Sequence, residues 1–213
     1  FNIQGYLLTL LEGGIYDENI NVNYLTKANK SVERMIAIIE DLDQITKLES
    51  GIIEMNIQKV DLTELTQEVI SSIDITAQEK KIKTKIINHT NKTPVFVFAD
   101  SDKISQVLVN LIVNSFKYGK EGGETKIEFF DMDEQILVEV SDNGQGIAEE
   151  HHARLFERFY RTDKGRARNA GGSGLGLSIV KHIIEAHEQT INVRSTPEEG
   201  STFSFTLKKY SNK

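Results

Sequence analysis

Two glycine clusters frame the stretch from residue 142 to residue 176 and constrain the fold more than any other feature of the sequence. The first reads Asp142-Asn-Gly144-Gln-Gly146-Ile, and the second reads Gly172-Ser-Gly174-Leu-Gly176-Leu. Glycine allows the backbone to approach a ligand closely and to adopt positive φ at little steric cost. The second cluster opens an apolar helical pattern, and backbone N–H groups at a helix start attract phosphate. The two clusters therefore predict a nucleotide pocket.

The segment between the clusters is basic and aromatic, which predicts a flap over the pocket. Its cations are Arg154, Arg158, Arg161, Lys164, Arg166 and Arg168. Glycine and positively charged side chains dominate residues 161–173, so we expect this part to be poorly ordered without nucleotide.

The composition argues against several classes of protein and several kinds of site. The chain has 213 residues, a formal net charge of −7 and no cysteine. The acidic balance argues against general nucleic-acid binding, and the lack of cysteine excludes disulfides and thiolate metal sites. No apolar run approaches the roughly 20 residues that span a bilayer. Because a helical pattern is already running at Phe1, the sequence is expected to be a fragment of a longer protein.

Residues 1–51 are predicted to form a helical hairpin with a turn near Glu12-Gly-Gly14. Apolar residues of the second arm follow a heptad seam: Leu25, Ala28, Val32, Met35, Ile39 and Leu42, flanked by Ile36, Ile38 and Ile45. Such a seam is too wide for one helix to cover, so we expect a second copy to complete a four-helix bundle. The alternative is that the hairpin packs on the rest of its own chain.

The periodicity changes after Gly51, which predicts a second domain over residues 52–213. Strands are expected at 52–60, 82–89, 95–99, 125–130, 135–140, 190–194 and 201–207, and helices from Asp61 to about Lys80, at 101–118 and at 175–186. Helices are interleaved with paired strands, so the predicted class is α+β: an α/β sandwich with a mixed sheet and helices on one face.

Polar side chains at two places indicate chemistry. Asn110, Asn114 and Lys117 share one face of a predicted helix, where an amide oxygen suits Mg²⁺ and a lysine suits phosphate. Asp142 follows a predicted strand, where a carboxylate can accept a hydrogen bond from an amino group such as that of adenine. The plainer interpretations are a solvated helix face and an ordinary Asp-Asn-Gly turn. No His-Glu-x-x-His pattern supports a zinc site.

The order and spacing of these motifs resemble the sensor histidine kinases. Residues 110–118 resemble the N box, residues 142–147 the G1 box, residues 155–161 the F box and residues 172–177 the G2 box. A further glycine element of that family matches residues 199–203. The resemblance covers essentially the whole sequence: the hairpin corresponds to the dimerisation and phosphotransfer domain, and residues 52–213 to a Bergerat-type ATP-binding domain.

The resemblance implies roles for individual residues. Asn114 would coordinate Mg²⁺, Asp142 would contact adenine, Asn110 would support the phosphate or metal end, and Arg158 or Arg161 would reach the γ-phosphate. The nucleotide would be lined or covered by Lys117, Tyr118, Gly144, Gly146, Gly174, Leu175, Gly176 and Thr202. The implied cofactors are ATP and Mg²⁺. The implied reaction transfers the γ-phosphate to a histidine and then to an aspartate of a response-regulator receiver domain.

The same resemblance implies a homodimer through the hairpin, and a cytoplasmic location with a membrane anchor upstream in the full-length protein. The family's acceptor histidine lies in a box expected just before Phe1, and residues 1–50 contain no histidine. Glu188-Gln189 replaces a glycine-rich turn of the family. Two alternatives are kept: a gyrase, heat-shock chaperone or mismatch-repair type ATPase, and a non-enzymatic dimerisation module with a degenerate pocket.

Overall fold

A computed structural model of the chain describes residues 3–79, 81–162 and 173–211. It divides into two compact units, Phe1–Thr46 and Lys47–Lys213. The division falls within a helix, a few residues before the boundary that the sequence predicts at Gly51.

The first unit confirms the predicted helices. They are α1 (Ile3–Leu11), a 3₁₀ turn (Gly14–Tyr16) and α2 (Asn21–Glu49), whose last residues belong to the second unit. Gly13 lies at φ +116°, a conformation that favours glycine, and Asp17 Oδ1 accepts the Asn19 N–H at 2.9 Å to close the turn. The rings of Tyr6 and Tyr24 pack with centroids 5.6 Å apart.

Many large apolar side chains of the first unit are exposed. They are Leu7, Leu8, Leu11, Ile15, Tyr16, Val22, Leu25, Met35, Ile36 and Ile39. Leu25, Met35 and Ile39 of the predicted heptad seam are therefore uncovered within one copy of the chain, whereas Ala28 is buried. Contiguous apolar surface of this kind is typical of an interaction face.

In the residues that the structure describes, the second unit contains seven strands and four further helices. The strands are β1 (Gln58–Asp61), β2 (Lys83–Asn88), β3 (Phe96–Ala99), β4 (Glu124–Met132), β5 (Gln135–Asp142), β6 (Ile191–Thr196) and β7 (Gly200–Lys209). The helices are α3 (Leu62–Glu79), α4 (Ser101–Tyr118), α5 (Glu149–His152) and α6 (Gly176–Ala186).

The strands form one mixed sheet in the order β1-β3-β7-β5-β4-β2, and β6 also pairs with β7. The β2–β4 pair is parallel and the other pairs are antiparallel. β7 pairs with β5 along one edge, and with β6 and then β3 along the other. The predicted mixed sheet is confirmed.

One face of the sheet is buried, and α4 contacts it while also packing against α3 and α6. Side chains alternate along β5, so that Ile136, Val138 and Val140 are buried. The register places Phe129 opposite Val138 and Phe205 on its other side, which continues the apolar layer across three strands. α4 supplies its buried stripe, which includes Leu108, Leu111, Ile112 and Phe116, to the same core.

The strand predicted over residues 52–60 is wrong in its first part. β1 begins only at Gln58, and Ile52 and Ile57 are exposed. Its partner β3 is four residues long, so a longer β1 would have had no strand to pair with. The Asn56 N–H donates instead to Asp100 Oδ2 at 3.0 Å.

Aspartate side chains cap the starts of α3 and α4. Asp61 Oδ1 accepts the backbone N–H groups of Thr63 at 2.9 Å and Glu64 at 3.1 Å. Asp100 caps α4 in the same way through Lys103 N. These bonds satisfy donors that a helix leaves free at its first turn.

In the described ranges no helix is long and apolar enough to cross a membrane.

The Glu188-Gln189 turn forms without the glycines that the family has at this place. Glu188 takes a left-handed conformation at φ +58°, which is strained for a residue with a Cβ. Gln189 Oε1 accepts hydrogen bonds from Gln135 Nε2 at 3.0 Å and Thr206 Oγ1 at 2.8 Å. The turn is thereby tied to β5 and β7.

Candidate nucleotide-binding site

The exposed side of α4 presents the three polar residues that the sequence places on one helix face. Asn110, Asn114 and Lys117 are all half-buried. Asn110 Nδ2 donates to Gln106 O at 3.1 Å, which leaves its Oδ1 oxygen directed elsewhere. The Asn114 amide makes no hydrogen bond to any residue that the structure describes. A half-buried amide without a protein partner is suited to bind a ligand or metal.

Asp142 is the last residue of β5, where the sequence predicts a carboxylate at a strand end. Its side chain is half-buried, and burial raises the pKa of the carboxyl. Backbone N–H groups of Gly144 and Ser201 donate to it and oppose that shift, and the Gly144 N to Asp142 Oδ1 distance is 2.8 Å. The carboxylate is therefore held in one orientation at an energetic cost.

The first glycine motif is interlocked with its neighbours through backbone atoms. A Cβ at Gly144 would overlap the carbonyl oxygen of Tyr118, and a Cβ at Gly146 would overlap that of Thr196. Gly146 also lies at φ +66°. Gln145 joins the motif to both neighbouring segments. Its N–H donates to Tyr118 O at the end of α4 at 3.3 Å, and its carbonyl accepts Glu198 N of the β6–β7 turn at 2.7 Å. Glycine is needed here for close approach of backbone segments.

Two serines that the sequence reasoning missed hold this loop. Ser195 Oγ accepts Ile147 N at 2.8 Å and donates to Gly200 O at 2.7 Å. Ser195 Oγ also lies 2.9 Å from Ser201 Oγ. The pair ties the first glycine motif to the turn between β6 and β7.

The prediction for Thr202 needs correction. The register pairs Asp142 with Ser201 and Ser141 with Thr202. Directly opposed residues point to the same face, so Ser201 and not Thr202 shares a face with Asp142. Alternation from the buried Phe203 would have identified Ser201 from the sequence.

The second glycine motif begins α6 against α4 and the F box. A Cβ at Gly176 would lie 2.8 Å from Asn110 Oδ1, and a Cβ at Gly174 would lie 3.0 Å from the backbone of Phe159. The Phe159 N–H donates to Gly174 O at 3.0 Å. Leu175 is fully buried, so its side chain belongs to the core, and only its backbone can line a ligand.

The far end of α6 is tied to the start of α4 by a histidine. His187 Nδ1 donates to Ile183 O at 2.8 Å, and Nε2 accepts the Asp100 N–H at 3.0 Å. This arrangement requires the neutral imidazole. Burial lowers the pKa of His187 accordingly.

The F box packs the ring of Phe156 inward, and its Arg158 side chain is exposed. Phe156 meets Phe203 edge-on, with centroids 6.5 Å apart. The Arg154 guanidinium lies 4.3 Å from the centre of the Tyr160 ring. The Arg158 guanidinium pairs with Glu49, so this arginine is engaged by the end of α2.

Part of the predicted flap lies outside the described residues. This applies to residues 163–172, with Lys164, Arg166, Arg168 and the first glycines of the second cluster, and so to most of the segment predicted to be poorly ordered. Arg161 is described and half-buried. Within the described ranges no group of three or more His, Asp or Glu side chains is arranged to hold a metal ion.

Comparison with known proteins agrees with this geometry. Residues 99–211 match the family described as histidine kinase-, DNA gyrase B- and HSP90-like ATPases. The chain is 33% identical over 207 residues to the sensor histidine kinase WalK of Bacillus subtilis strain 168, covering 96% of this chain and 33% of that protein. The chain thus spans about a third of the length of this curated relative.

Two solved structures are similar to the chain. Full-length ShkA in complex with AMPPNP matches with a TM-score of 0.77 and 25% identity, over 90% of this chain and 40% of that one. Histidine kinase ThkA in complex with response regulator protein TrrA matches with a TM-score of 0.77 and 25% identity, over 98% of this chain and 57% of that one. The chain belongs to the histidine kinase-, DNA gyrase B- and HSP90-like ATPase family, and within it to the catalytic domains of sensor histidine kinases.

Proposed function

We propose that the chain is the ATP-binding catalytic part of a protein histidine kinase. The observation that carries the proposal is the Asp142 carboxylate, half-buried at a strand end and fixed by two backbone N–H groups. Retaining a carboxylate there costs free energy, which is typical of a functional site. In this role it accepts a hydrogen bond from the exocyclic amino group of adenine. ShkA, a similar protein, was crystallised with the ATP analogue AMPPNP.

The phosphate end of the nucleotide is assigned to α4 and the second glycine motif. Asn114 offers an amide oxygen to Mg²⁺, and Lys117 offers positive charge to the phosphates. A bound Mg²⁺ would neutralise charge that develops on the transferring phosphoryl group. Asn110 is assigned to positioning the start of α6, because its Oδ1 faces Gly176. Arg161 of the F box is the proposed cation near the γ-phosphate, and Arg158 of the F box is proposed to support the pocket.

Nucleotide binding is tested by titrating the chain with MgATP. We expect saturable binding by the wild type, and about 10- to 100-fold weaker binding by Asp142→Asn, because a hydrogen bond to a charged group contributes about 1.5–3 kcal/mol. Asp133→Asn is the matched control, since Asp133 lies in the exposed β4–β5 turn at φ +62°, a conformation that asparagine tolerates. No saturable binding by the wild type would favour the dimerisation module with a degenerate pocket.

The phosphotransfer step needs an acceptor histidine, which residues 1–50 do not contain. The chain should therefore be mixed with γ-labelled ATP and a separate dimerisation domain of a sensor histidine kinase that carries a His-Glu-x-x-Thr-Pro box. We expect acid-labile, base-stable label on that domain, and onward transfer to a receiver-domain aspartate. ATP hydrolysis without transfer would favour another ATPase class of the same family. Label found only on serine would contradict histidine kinase activity.

Homodimerisation through the hairpin is proposed from the exposed apolar seam. Covering Leu25, Ile36 and Ile39 by a second copy would remove apolar surface from water in each subunit. Ile36→Lys is expected to shift the chain from dimer to monomer in sedimentation equilibrium. Ile52→Lys, at an exposed position in the second unit, is the control that should leave the dimer intact.

A further inference from the structure

Two basic side chains converge on Glu49 at the end of α2. The Glu49 carboxylate pairs with the Arg158 guanidinium of the F box and lies 3.3 Å from His182 Nε2 on α6. The second unit begins at Lys47, so all three residues belong to the same compact unit. Three elements that are distant in sequence therefore meet at one carboxylate.

The contact is electrostatically well formed. The hydrogen bond from Arg158 lowers the pKa of Glu49, and the charges of Arg158 and His182 act in the same direction. The carboxylate therefore stays ionised to a lower pH than a glutamate without these neighbours. An arginine held by a carboxylate in this way has a defined side-chain geometry.

Arg158 stands next to the point where the F box joins the second glycine motif. Phe159 has φ +62°, and its N–H donates to Gly174 O at 3.0 Å. Gly174 approaches Phe159 so closely that an added Cβ would lie 3.0 Å from its backbone. Arg158 directly precedes Phe159 in the chain. Holding the Arg158 side chain in place therefore also restricts the strained contact between Phe159 and Gly174.

We propose that Glu49 is a positioning residue for nucleotide binding: it holds Arg158, and through it the Phe159–Gly174 junction, in the geometry that receives the phosphates. This inference rests on the proposed function. Arg158 then supports the pocket through the Phe159–Gly174 junction rather than by contacting the phosphate. Because Glu49 and Arg158 are partly exposed, losing the contact is expected to weaken MgATP binding about two- to fivefold.

The test is a charge swap measured by MgATP affinity. Glu49→Lys and Arg158→Glu are compared with the double variant in the 213-residue chain, and the unfolding temperature of each nucleotide-free variant is measured in parallel. The titrations of all variants are run at the same pH and ionic strength. Glu54→Lys, at an exposed position in the same unit, controls for the change in net charge.

We expect each single variant to bind MgATP more weakly than the Glu54→Lys control, and the double variant to recover most of the affinity at an unchanged unfolding temperature. If Arg158 contacted the phosphate directly, the double variant would remain as weak as Arg158→Glu, which would overturn the inference. Unchanged or tighter binding by the single variants would also overturn it. If the wild type does not bind MgATP, the proposed function fails and the inference fails with it.

Discussion

Gly146 and Gly176 occupy similar places in the two glycine motifs, but an added methyl group would meet different kinds of atoms at each. At Gly146 it would overlap the backbone carbonyl of Thr196, whereas at Gly176 it would approach the side-chain oxygen of Asn110 at 2.8 Å. Gly146, on the strand-end side of the site, thus meets interlocked backbone, whereas Gly176, on the helix side, meets a side chain that can shift. The first should fail by unfolding, and the second by loss of ligand binding.

The largest expected effect is that of Gly146→Ala. The substitution combines a left-handed φ with a clash against backbone that cannot move alone, so we expect a loss of about 3 kcal/mol or more in unfolding free energy. Urea unfolding measures it. Gly122→Ala is the matched control, because Gly122 has φ +70° with no atom within 4 Å of an added Cβ, and should lose only about 1–2 kcal/mol. Equal losses of unfolding free energy in the two variants would show that the close backbone contact at Gly146 contributes nothing to stability.

The next largest expected effect is that of His187→Ala on stability. His187 joins α6 to α4 on the helix side of the site. Removing its ring in His187→Ala leaves the Asp100 N–H without its acceptor, so we expect a loss of about 1–3 kcal/mol at pH 7.5. Unfolding measurements across pH add a second observable. The pKa of His187 is lowered in the folded chain, so its contribution is fully present above the unfolded value near 6.5 and is lost as the pH falls towards the folded pKa.

A His187→Gln variant, which does not titrate, should show a smaller loss of stability between pH 7 and pH 5 than the wild type. Equal acid sensitivity of the two proteins would contradict the neutral imidazole described here.

Gly176→Ala separates stability from binding. Alanine is favoured over glycine within a helix by about 1 kcal/mol, which offsets the displacement of Asn110, so the unfolding free energy should change by less than about 1 kcal/mol. MgATP affinity should fall about tenfold, equivalent to about 1.4 kcal/mol, because the start of α6 and Asn110 both move. Calorimetric titration beside urea unfolding checks the two numbers. An unfolded Gly176→Ala variant would remove the distinction between the two sides.

The smallest expected effect is a slight gain in stability in the Asp142→Asn variant. The pKa of Asp142 is raised in the folded chain, so this group stabilises the fold fully below the unfolded value near 3.8, and that contribution is lost as the pH rises through the folded pKa. Asp142→Asn keeps an oxygen for the Gly144 N–H without the buried charge. It should therefore be slightly more stable than the wild type at pH 7, with the difference shrinking towards pH 4. Lower stability at pH 7 would show that the charge itself holds the first glycine motif.

Local chemistry predicted much of the fold from the sequence. The predicted bounds of α4 agree with the observed Ser101–Tyr118, because Asp100 caps its start and Gly119 follows its end. The first residue of β1 was missed because strand length is set by a partner that the local pattern does not reveal. The glycine motif points to Thr202 rather than Ser201 because a motif does not indicate which side of the strand each residue faces.

Contacts between distant residues could not be predicted. The pairing of Glu49 with Arg158 joins residues 109 positions apart, and neither has a neighbour in sequence that indicates the other. Ser195 was missed for the same reason, since its partners Ile147 and Gly200 are brought to it only by the folded sheet.

The position of β7 has a consequence for how the chain is made. β7 pairs with β3, β5 and β6, yet it is the latest strand in the sequence. During synthesis, β1 and β3 must wait until residues 200–209 have left the ribosome before they can join β5, β4 and β2. The sheet is therefore expected to close late and through contacts of high sequence separation, which slow folding. A ribosome stalled before residue 200 would hold two unjoined halves of the domain.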